Sequence, residues 1–73
     1  MSPQAESLLA EADRHLAKAE TRVARERELV ARMATAGEDA SVSREVLEVM
    51  ERSLALSHRR RELLLQEIAT GSL

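Results

Sequence analysis

Residues 8–35 read LLAEADR, HLAKAET, RVARERE and LVARMAT, four successive blocks of seven that repeat one pattern. Labelling the positions of each block g, a, b, c, d, e, f puts Leu9, Leu16, Val23 and Val30 at a, and Ala12, Ala19, Glu26 and Met33 at d. Seven residues make nearly two turns of an α-helix, so a and d share a face, and an apolar a/d face is the signature of a coiled-coil seam. Position c carries Glu11, Lys18, Arg25 and Arg32, a charged stripe suited to water. Position b carries Ala10, Ala17, Ala24 and Ala31, which raise helix propensity and widen the nonpolar surface. The stretch predicts one long amphipathic helix.

Downstream the period returns in VLEVMER (46–52), SLALSHR (53–59) and RRELLLQ (60–66). Position a reads Leu47, Leu54, Arg61 and then Ile68, and position d reads Met50, Ser57 and Leu64. Position c is also apolar here, with Val49, Leu56 and Leu63. At about 100° per residue, c, d and a together cover roughly 160° of the helix surface, more than one partner helix can cover. The expected interface residues are therefore Val49, Leu56 and Leu63, together with Met50, Leu54 and Leu64.

Between and around the two repeats lie the chain's punctuation marks. Ser2-Pro3 suits a helix start, with Ser2 as cap and Pro3 at the first helical position, where its missing N–H is not needed. Gly37 suits the left-handed residue that ends a helix, and either Asp39 or Ser41 can cap the next one. After Ala69 the pattern fades at Thr70-Gly71-Ser72, where fraying is expected. These marks predict an all-α, antiparallel two-helix hairpin of coiled-coil type: a single domain over residues 1–73, with helices at about 3–36 and 41–69 and a turn at about 37–40.

Folding the chain at that turn brings Val30 near Leu47 and Met50, Val23 near Leu54 and Ser57, and Leu16 near Arg61 and Leu64. Arg27 then falls opposite Glu51, and Glu20 opposite His58. Each such exposed pair is worth only about 0.3–0.5 kcal/mol, but its sign helps to set the register. A helix of this length is roughly 50 Å long, against a radius of gyration near ~11 Å for a compact domain of the same size. The expected shape is a rod with one thin seam, and pairing two hairpins into a four-helix bundle would supply the missing core.

Composition narrows the function. The chain has 73 residues, no Cys and no aromatic residue, so no disulfide or thiolate metal site is available and the core is limited to aliphatic side chains and Met. With 13 acidic and 11 basic residues the net charge is −2, which exerts no bulk attraction on nucleic acid or anionic membrane. The longest aliphatic run, Leu63-Leu64-Leu65, is far short of a membrane span, and MSPQAESLLAEADR lacks the basic start and apolar stretch of a secretory signal. The expected location is the cytoplasm.

No catalytic constellation is legible. His15 and His58 fall on opposite flanks of the seam, and neither Glu-x-x-His nor His-Glu-x-x-His occurs. Glu11 with His15, and His58 with Glu62, sit four apart, but two ligands on an open helix face fall short of a firm site. The expectation is no metal and no cofactor. In His58-Arg59-Arg60-Arg61 successive residues point about 100° apart. Arg61 points at the seam, and only Arg59 and Arg60 remain as candidate nucleic-acid contacts, with no aromatic side chain to stack on bases. Ser53 and Ser57 lack a positioned base and read as small residues at close helix contacts. Gly37 and Gly71 are isolated and form no phosphate-cradling loop, and Met33 and Met50 read as core filler.

The segments ADRHLAKAETRVARERELVARMATAGEDA and EVLEVMERSLALSHRRRELL also carry a resemblance. Through Ala12-Asp13-Arg14-His15, Arg22-Val23-Ala24-Arg25, the Gly37/Asp39 turn and Leu54-Ala55-Leu56-Ser57-His58, the chain resembles a group of short, uncharacterised helical-hairpin proteins of alphaproteobacteria, especially rhizobia and their relatives. It departs from that pattern at Val42, where an acidic residue would complete a capping box after Asp39. The resemblance implies the hairpin and no activity. The expected function is a non-enzymatic structural or protein-interaction module that self-associates as a dimer and offers a surface to another protein. The alternative is a small nucleic-acid-binding regulator analogous in fold to the plasmid repressor-of-primer hairpin dimers.

Overall fold

The computed structural model describes residues 1–72, and among them two helices and no strand are present. Helix α1 spans Pro3–Thr35 and α2 spans Ser41–Ala69. They pack antiparallel along their lengths into a rod of 53 × 15 × 12 Å with a radius of gyration of 16.5 Å. Among the described residues no helix is long and apolar enough to cross a membrane.

Each helix end has a local cause. At the start of α1 the Ser2 hydroxyl accepts a hydrogen bond from the Ala5 N–H at 3.1 Å, with Pro3 directly after the cap. This satisfies one of the N–H groups that the first turn leaves free. At the other end Gly37 takes φ 73°, which lets the Glu38 N–H reach the Met33 carbonyl at 2.9 Å and the Gly37 N–H reach the Ala34 carbonyl at 3.1 Å. This paired arrangement is a Schellman cap, and it reverses the chain within Ala36–Ala40.

At the start of α2 the expected choice between Asp39 and Ser41 falls to Asp39, which acts from one residue before the cap position. The cap position belongs to Ala40, which has no side-chain acceptor and is only 2% exposed. Asp39, one residue earlier, does the capping: its carboxylate accepts from the Ser41 N–H at 3.0 Å and from the Ser41 hydroxyl. Those two bonds, with a smaller contribution from Arg44, lower the Asp39 pKa below its ordinary value. Because the cap falls at Ala40, the third helical residue is Ser43, and Val42 does not occupy the capping-box position that the sequence reading gave it.

The C-terminus also differs from expectation. Thr70-Gly71-Ser72 forms a second Schellman cap rather than a loose end: Gly71 takes φ 78°, and the Ser72 N–H meets the Glu67 carbonyl at 2.8 Å.

The seam follows the sevenfold pattern on both helices. The buried or half-buried positions of α1 are Ala5, Leu9, Ala12, Leu16, Ala19, Val23, Glu26, Val30 and Met33. Those of α2 are Ser43, Leu47, Met50, Leu54, Ser57, Arg61, Leu64 and Ile68. Register is marked by Met33, whose sulfur receives the Ser43 hydroxyl at 3.5 Å, by Arg27 with Glu51 at 3.6 Å, and by Glu20 with His58 at 3.5 Å. The last two are the pairs the heptads predict.

Burial is thin. Only Ala5, Leu16, Val23 and Ala40 are fully buried among the described residues, and none of them lies within α2. Helices in a pair touch along one line, so most seam side chains keep a wet flank.

Candidate functional site

The two long edges of the hairpin differ. Along the edge made by the e positions, polar side chains bridge the helices: Arg27 to Glu51, Glu20 to His58, and Asp13 to Arg61 at 2.5 Å. The first two link e to e. The third links e to a, because Arg61 is long enough to leave the seam and carry its guanidinium to the edge. The heptads place Arg61 at the seam but say nothing of Asp13 as its partner. That pairing depends on how far a flexible side chain reaches between helices, which no spacing within one helix encodes.

The opposite edge, at the g positions, is open. Two shallow grooves run along it, one lined by residues including Leu8, Ala12, His15, Arg60 and Leu64, the other by residues including His15, Lys18, Arg22, Met50 and Ser53. His15 and Ser57 line both grooves. Ser57 spends its hydroxyl on the Ser53 carbonyl at 3.2 Å, a bond within the helix.

On this open side α2 carries its second apolar stripe. Val49 is 57% exposed, Leu56 58% and Leu63 40%, and the same row begins one heptad earlier with Val42 at 73%. Val46, at position g, is 44% exposed beside them. Val42 and Val46 are absent from the interface residues read from the sequence. The signal was available, since stepping back seven from Val49 gives Val42 and from Ser53 gives Val46. Met50, Leu54 and Leu64, which were included, instead face α1 and are half-buried there.

The candidate ligands and cations are scattered. His58 sits against Glu20, and its neighbour Glu62 pairs with Arg59 at 3.5 Å. His15 lies on the open edge, so the two imidazoles flank opposite sides of the seam. Among the described residues no group of three or more His, Cys, Asp or Glu is placed to hold a metal ion. Arg59 is engaged by Glu62, and Arg60 shares its groove with Glu11, which divides the basic run between two surroundings.

No protein-family model matches the chain, and no curated protein or solved structure does.

Proposed function

We propose that this chain is a non-enzymatic interaction module that self-associates as a dimer of hairpins. The reading is carried by the exposed row Val42, Val49, Leu56 and Leu63 on α2. Scattered apolar side chains on a surface need no explanation, but a contiguous row at helical spacing marks a contact surface. Covering it removes apolar area from water, at about 25 cal/mol per Å². The thin seam supports the same reading, since a chain this small buries too little surface to be robust alone.

Sedimentation equilibrium at micromolar concentration tests it. The expected mass is at least twice that of the 8.1 kDa chain. Leu56→Glu, on the exposed row, should return the mass to that of one chain while helical circular dichroism persists. A cooperatively melting monomer of the unaltered protein sinks the proposal.

A further inference from the structure

We infer that a second copy of this chain covers the α2 stripe with its own α2 stripe, the two helices running antiparallel, so that Glu45 of each copy meets Arg59 of the other. The inference rests on the self-association proposed above and adds the face, the direction and the register.

The face follows from the heptads. Positions g and c of α2 alternate as Val42, Val46, Val49, Ser53, Leu56, Arg60 and Leu63, at spacings of four and three residues. These are the spacings of a coiled-coil seam, and this second seam lies about 100° around the helix from the one that packs on α1. A helix with two seams at that angle suits the corner of a bundle, touching one neighbour through each.

The direction follows from charge and volume. The outer flank of the second seam is position f, occupied by Glu45, Arg52, Arg59 and Gln66. Parallel copies would set each f flank against the partner's d flank, Met50, Ser57 and Leu64, and would pair no charges. Antiparallel copies with the two-fold axis at Arg52-Ser53 set Glu45 against Arg59 twice, once on each side of that axis. The same alignment puts Val42 opposite Leu63 and Val49 opposite Leu56. Each of these c layers then holds one Val and one Leu, whereas parallel copies would stack Val on Val and Leu on Leu; the intervening g layers set Ser53 against its own copy and Val46 against Arg60, whose long side chain carries its charge out of the seam. This is also the alignment in which the whole row from Val42 to Leu63 is covered; sliding by one heptad leaves an apolar residue uncovered in each copy. One like-charge contact remains, Arg52 with its own copy at the axis. Glu48, one turn earlier on the same helix, is placed to offset it.

The absence of cysteine from the chain makes single-cysteine cross-linking a clean test. In the inferred register Val49 lies seven residues along the axis from its own copy, about 10 Å, beyond the ~7 Å Cα separation that a disulfide tolerates. Val49→Cys alone should therefore give no covalent dimer under mild oxidation. Ser53→Cys alone should give one, and Val49→Cys mixed with Leu56→Cys should give the mixed dimer. Glu45→Arg should weaken dimerisation about tenfold, equivalent to about 1.4 kcal/mol, and Glu45→Arg/Arg59→Glu should restore it. Efficient self-linking of Val49→Cys identifies a parallel pair and overturns the inference. So does a dimer, shown by sedimentation, in which none of these positions links. Either result leaves self-association standing, whereas a monomeric unaltered protein removes both proposals.

Discussion

Replacing Glu26 by Leu is expected to raise the melting temperature by roughly 4–8 °C. Glu26 occupies a d position of α1, one turn after the buried Val23, and is half-buried between the helices. Fully burying a leucine is worth roughly 1.5–3 kcal/mol, and the half-wet seam should realise about 1 kcal/mol of that. Leu and Glu have similar helix propensities, so the backbone adds little. For a domain of this size, about 1 kcal/mol corresponds to that rise. Arg61→Leu is the control. It extends the same seam but removes the bond to Asp13, an exposed pair worth about 0.2–1 kcal/mol, so its gain should be smaller than that of Glu26→Leu. Thermal circular dichroism at one fixed chain concentration measures both, because the melting temperature of an oligomer depends on concentration. A lower melting temperature for Glu26→Leu would refute the reasoning and show that the carboxylate makes a stabilising contact. Light scattering on the same samples asks a second question. Polar seam residues can restrict oligomer state, so species of higher mass would mean that Glu26 does so here, and one unchanged mass would remove that role.

Further outcomes follow from the chain reversal and the α2 edge. Gly37→Ala should destabilise the protein by about 1–2 kcal/mol, because φ 73° strains an L residue even where the added methyl meets nothing; Gly37→Asn should cost less, and an unchanged melt for both would contradict the Schellman geometry. Asp39→Ala should lower the melting temperature at neutral pH. Its folded pKa is depressed by the Ser41 bonds, so the stabilisation is present above the ordinary carboxylate pKa and is lost as pH falls through the folded value. The gap between variant and parent should therefore narrow in strong acid, and a constant gap across pH would show that the carboxylate charge is not involved. Arg59→Glu/Arg60→Glu tests the nucleic-acid alternative. The expected result is weak, salt-sensitive RNA binding in the parent, and nanomolar affinity at physiological salt that the variant loses would favour that alternative over the interaction module.

The heptad in residues 8–35 and its return after Val46 were sufficient for two helices, their seam faces and their antiparallel pairing, because each depends on spacing along a single helix and on one short turn. The e-edge pairs Arg27 with Glu51 and Glu20 with His58 were legible for the same reason: once the turn length is known, opposite positions follow by counting. Counting fails where the outcome depends on reach, crowding or competing partners. Arg61 reads as a charge at the seam, yet only the space between the helices shows that it escapes to Asp13. Asp39 and Ser41 were equally good caps on paper, and the point where the helical backbone begins decided between them, since Ser41 is already the first residue of α2. The cap position falls on Ala40, whose side chain has no acceptor, and Asp39 caps from one residue earlier. Gly71 was an isolated glycine until its φ of 78° let Ser72 close the end of α2. The apolar breadth of α2 was in the letters from the start. That α1 covers Met50, Leu54 and Leu64 and leaves Val42, Val46, Val49, Leu56 and Leu63 in water was decided only by packing, because a single neighbouring helix occupies one side of a cylinder and cannot wrap around to the other.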